Sequence, residues 1–136
     1  MSSFTDPLAV VQEGGRWRTL RDIHYWTHCS SDDDSVPLPV RCTTVHVVPA
    51  GFLTDFASIP RVLWSLIGHP AGRYAQAAVL HDWLLEQPAV PRAEADRVFL
   101  EAMAVLGVPR LQRWLMWAAV RAWGLVRGAR AAQEAA

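Results

Sequence analysis

The chain contains no lysine. All 13 of its positive side chains are arginines, and 13 aspartates and glutamates balance them, so the formal net charge is zero. This balance excludes nucleic-acid binding through a broad basic surface and leaves only a local arginine patch open. Cysteine is scarce. Cys29 and Cys42 lack a CxxC spacing, which favours free buried thiols over a disulfide or a metal ligand. Long uninterrupted apolar runs are absent too. The most membrane-like segment, Leu111 to Val126, carries Arg113 and Arg121 and falls short of the ~20 residues that cross a bilayer, so it reads as a core helix. The start, MSSFTDPLAV, has neither the basic residues nor the apolar stretch of a secretory signal, so an intracellular product is expected. No P-loop or GxGxxG is present, HDWLLE is not HExxH, and Ser58 lacks the setting of a nucleophile elbow.

What remains is a 136-residue chain that is 51% hydrophobic, enough for one domain with its own core. From Leu8 to Thr27 short branched and aromatic runs flank Glu13-Gly14-Gly15, which predicts a β-hairpin and a further strand. CSSDDDSVPLP follows as a surface loop. Asp32, Asp33 and Asp34 lack the DxDxDG spacing that wraps calcium. Val40 to Val48 alternates as another strand, with His46 half in water. Four helices are expected thereafter: Arg61 to Ile67, Arg73 to Gln87, Arg92 to Leu106 with Gly107 as its stop, and Pro109 to about Arg127. The predicted architecture is α+β, an N-terminal antiparallel sheet of three or four strands packed by a C-terminal bundle of three or four helices. Its parts are a β-rich 8–50, a motif loop 51–61, a helical 61–128 and a frayed tail 129–136.

One stretch carries the chemistry. In AQAAVLHDWLLE the adjacent His81 and Asp82 sit inside an apolar run that should drive them into the interior, where an ionised carboxylate needs a partner. The short connection Pro88 to Pro91 makes an antiparallel helix pair, bringing Asp96 back beside His81. In the loop GFLTDFASIPR, Phe52 and Phe56 anchor Thr54, Asp55 and Ser58 at a fixed place. One imidazole with two or three carboxylates suits a divalent cation such as zinc, manganese or magnesium. The candidate ligands are Asp55, His81, Asp82 and Asp96. Asp55 or Asp82 would steer an attacking water, and Thr54 and Ser58 would orient ligands or substrate. Two other readings stay open. One is a metal-free acid/base pair. In the other, Asp55 pairs with Arg61 or Arg73, Asp96 pairs with Arg113, and His81 belongs to a fold-specifying core network.

The His81-Asp82 doublet with the later Asp96 resembles the HD-type metal phosphohydrolases. A wider likeness spans Val40 to Gly124. GFLTDFASIPR, then AAVLHDW, then Ala95-Asp96-Arg97-Val98-Phe99 with Met103, resembles in order an uncharacterised family of small bacteriophage and prophage proteins. That resemblance implies a phage or integrated-phage origin and a fixed polar site, and it names no reaction. Two functions follow as expectations. The first is a metal-dependent hydrolase acting on a phosphoester or a cell-wall amide. The second is a non-catalytic virion or tail assembly protein. Its Trp-rich last helix, residues 110–127, would dock on another phage structural protein or on a second copy of the chain.

Overall fold

The computed structural model describes residues 3–4, 7–28, 43–54 and 74–135. The expected helix at Arg61 to Ile67, the acidic loop with Asp32 to Asp34, both cysteines, Asp55 and Ser58 all lie outside them. Six strands come first: β1 (Ser3–Phe4), β2 (Val10–Glu13), β3 (Arg16–Thr19), β4 (Ile23–His28), β5 (Thr43–Val48) and β6 (Leu53–Thr54). Three helices follow, α1 (Ala75–Glu86), α2 (Arg92–Val105) and α3 (Arg110–Ala135). The α+β architecture is as expected, although the strands divide between two antiparallel sheets, ordered β1-β4-β5 and β2-β3-β6.

The hairpin β2–β3 turns at Gly14 and Gly15, with φ of 57° and 82°. Two successive positive φ values match the strand twist, and glycine adopts them without strain. Thr19 then ties the segment after β5 onto β3. Its hydroxyl donates to the Pro49 carbonyl at 2.9 Å and accepts from the Phe52 amide at 3.0 Å, and its carbonyl accepts from the Gly51 amide at 2.7 Å. The result is β6, a two-residue strand inside what the sequence suggested was loop, pairing Trp17 with Thr54. It hands Thr54 to the helices.

In the other sheet, Ile23 and Tyr25 point inward from β4 and Val48 inward from β5, joining the helices in a single hydrophobic core. Alanine-rich α1 buries Ala77, Ala78, Val79, Leu80, His81 and Leu84. α2 buries Ala95, Asp96, Val98, Phe99, Ala102 and Met103 at helical spacing. It stops at Gly107, φ 78°, where the Val108 amide reaches back to the Met103 carbonyl and the Gly107 amide to that of Ala104, a Schellman end.

α3 departs from expectation in two ways. It runs on to Ala135 instead of ending near Arg127. Alanine and arginine are strong helix formers, so the polar tail adds turns to the helix. Only Met116, Val120 and Gly124 on it are buried, so this Trp-containing helix covers the core with one narrow face. None of the helices, among the described residues, is long and apolar enough to cross a membrane.

Candidate functional site

The α1–α2 hairpin produces the convergence that its short connection predicts. His81 Nε2 lies 2.6 Å from Asp96 Oδ1, and neither residue is exposed. Phe99, one turn beyond Asp96, tilts against the imidazole with ring centroids 4.8 Å apart. The other carboxylate oxygen, Asp96 Oδ2, accepts from Arg121 of α3 at 3.0 Å. Arg92, one turn before Asp96, brings its Nε to 4.0 Å from the same oxygen. Burial pushes the Asp96 carboxyl up, but hydrogen bonds from His81 and Arg121, with electrostatic attraction to His81 and Arg92, hold it below its ordinary range.

That ionisation settles the histidine. An ionised carboxylate only accepts, so Nε2 carries a hydrogen, and in the neutral ring the lone pair sits on Nδ1. Nδ1 is buried and finds no hydrogen-bond partner among the described residues. Asp96 therefore orients and polarises His81, much as a carboxylate behind a metal-binding or basic histidine does. Both of its oxygens are engaged, and the expected partner Arg113 is replaced by Arg121. Arg113 instead reaches the Val108 carbonyl at 3.4 Å.

Asp82 goes elsewhere. Adjacent helix positions diverge by about 100°, and Asp82 turns toward the sheets, where its Oδ2 accepts the Thr54 hydroxyl. The four candidate ligands thus do not form one cage from the described residues. His81 pairs with Asp96, Asp82 pairs with Thr54, and no three His, Cys, Asp or Glu side chains there surround a common point. A cation site at Asp82 needs Asp55, the next residue after Thr54 and outside the described residues along with Ser58. Two carboxylates, Asp82 and Asp55, suit a hard divalent ion by chemistry.

Three participants were missed from the sequence. Arg121 interrupts an apolar helix, the kind of charge that needs a buried partner. Arg92 leads α2 one turn ahead of Asp96. Gly124 is where Arg92 crosses α3, since a Cβ there would collide with the Arg92 guanidinium. A glycine inside a long helix was the available signal. His46, half-buried on β5, has its pKa lowered by burial against the opposing pull of Glu94 and Glu101. It lies opposite Tyr25 in the β4–β5 ladder, within electrostatic reach of Glu94, Arg97 and Glu101 of α2.

The architecture is therefore an α+β domain in which the helix hairpin and α3 together enclose a His-Asp-Arg triad. Residues 34–120 match the family described as "Protein of unknown function (DUF1353)", and the chain belongs to that family. It is also similar to two uncharacterized proteins of Sinorhizobium fredii. It is 38% identical to y4jT over 78 residues, covering 57% of this chain and 23% of y4jT. It is 38% identical to y4iH over 72 residues, covering 52% of this chain and 30% of y4iH. The chain thus spans less than a third of either relative. No solved structure matches it.

Proposed function

We propose that this domain is a small hydrolase of phage or prophage origin in which His81 acts as general base through Nδ1. The observation behind this reading is the buried imidazole held at Nε2 by Asp96, with Nδ1 unpartnered among the described residues. In such a dyad the imidazole takes a proton from the attacking water, and Asp96 stabilises the resulting imidazolium without itself being protonated. Asp82, braced by Thr54, and the neighbouring Asp55 would hold a zinc, manganese or magnesium ion, with Ser58 orienting substrate. Such an ion polarises a phosphoryl or carbonyl oxygen. A phosphoester or a cell-wall amide is the substrate class.

The test is hydrolysis of model phosphodiesters and of peptidoglycan with each of the three metals, comparing the native chain with His81→Gln and Asp82→Asn. Loss of roughly 10²-fold or more in folded variants is expected. Full turnover by folded His81→Gln would remove the base, and a native protein that neither binds metal nor turns over any of these substrates would remove the enzyme.

A second reading is carried by a different observation, the apolar outward face of α3, where Leu111 is 75% and Leu125 67% exposed. It supports a virion or tail assembly protein that docks through this helix. Co-sedimentation of the chain with purified particles, abolished by Leu125→Glu, is the outcome expected of it. Particles devoid of the chain would refute it.

A further inference from the structure

We infer that the outward face of α3 is the contact between two copies of this chain, packed antiparallel about the level of Val120. The face has a period. Leu111, Leu115, Ala118, Ala122, Leu125 and Ala129 recur at alternating steps of four and three, and all six are exposed. Such 3.5-residue spacing is that of a two-helix seam, whereas the inward residues Met116, Val120 and Gly124 serve the core on the opposite side. Trp114 flanks the seam, half exposed, with Val126 on the other edge. No charged residue falls within it. Arg110, Arg113, Arg121, Arg127 and Arg130 all project outside this arc when the helix is turned at 100° per residue.

The pattern is self-complementary, which favours a second copy over a foreign chain. An antiparallel two-fold at Val120 sets Leu115 opposite Leu125, Ala118 opposite Ala122 and Leu111 opposite Ala129. Small residues meet at the crossing point, where backbones must approach, and leucines close the gap on either side. The same operation puts Trp114 on the flank of the partner's Gly128, a position with open space around it, where even an added Cβ would meet nothing within 4 Å. A two-fold contact uses the same patch twice, and the central four positions, Leu115, Ala118, Ala122 and Leu125, read the same from both ends.

This inference rests on the face that supports the assembly reading and is independent of His81; particle co-sedimentation tests that reading, and the mass of the purified chain tests this one. Light scattering and sedimentation equilibrium should give twice the chain mass for the native protein and the chain mass for Ala122→Glu, with unchanged circular dichroism. In a Cys29→Ser/Cys42→Ser background, chains bearing Ala118→Cys should cross-link to chains bearing Ala122→Cys faster than to themselves. The proposal is overturned if the native chain stays monomeric at about 100 μM, if a dimer survives Ala122→Glu, or if cross-linking follows a parallel pattern. Flotation of a monomer with anionic lipid vesicles would likewise assign the face to a membrane surface.

Discussion

Two surfaces of the helical half invert the usual distribution of polarity. Between α1, α2 and α3 a histidine, a carboxylate and a guanidinium meet in the interior. On the far side of α3 leucines and a tryptophan face solvent. The inner group has its main partners built in, because Asp96 accepts from both His81 and Arg121, while His81 Nδ1 and Arg92 Nε find no hydrogen-bond partner among the described residues. The outer stripe has none among the described residues. One helix serves both, turning Arg121 inward and Leu125 outward. The contrast separates an internal network, whose loss is felt as stability, from an external seam, whose loss is felt as association.

The largest effect is expected inside. His81→Ala leaves a cavity and removes the donor to the buried Asp96 Oδ1, and should cost ~2–5 kcal/mol in urea unfolding, whereas Leu125→Glu should leave the unfolding of an isolated chain nearly unchanged. Equal costs would mean that the two surfaces do not differ as described. Gly124→Ala comes next. Displacing the Arg92 guanidinium should cost ~1–3 kcal/mol, and Arg92→Ala should restore most of it in the double variant, a coupling readable by a double-mutant cycle.

The pH dependence should be smaller and directional. Asp96 is held below its ordinary range, so its stabilisation is complete above ~3.9, the value of an unfolded aspartate, and declines as pH falls from there through the native value. Asp96→Asn should flatten this acid limb, as followed by thermal melts across acidic pH. An unaltered limb would mean that other carboxylates carry it. The smallest effect belongs outside both regions. Tyr25 donates to Glu101 at 2.9 Å between β4 and α2, and Tyr25→Phe should cost only about 1 kcal/mol.

Much of this was legible in the residues. A four-residue connection between two apolar helices forces an antiparallel pair, so the approach of Asp96 to His81 followed from spacing alone. Gly14-Gly15 and Gly107 marked a turn and a helix end by the backbone conformations they permit. Arg121 was harder to assign. Arg113 and Arg121 lie two turns apart on one helix, and choosing between them needs the axial offset of α2 against α3, which periodicity does not encode. The brief strand β6 was hidden for a similar reason. Two residues show no alternation, and their pairing depends on Thr19 closing a loop 30 positions away. The apolar composition of α3 fits a core helix and a docking helix equally; only the heptad spacing of its outward face, set against the inward Met116, Val120 and Gly124, separates seam from core.

The central claim is that Asp96 fixes the ring of His81 with its hydrogen on Nε2 and its lone pair on Nδ1. Nitrogen-15 spectra of histidine-labelled protein, recorded where the ring is neutral, test this directly. The expected pattern of the neutral His81 ring is a pyrrole-type Nε2 and a pyridine-type Nδ1, lost or scrambled in Asp96→Asn. A protonated Nδ1 with a bare Nε2, or a pattern indifferent to Asp96→Asn, would contradict it.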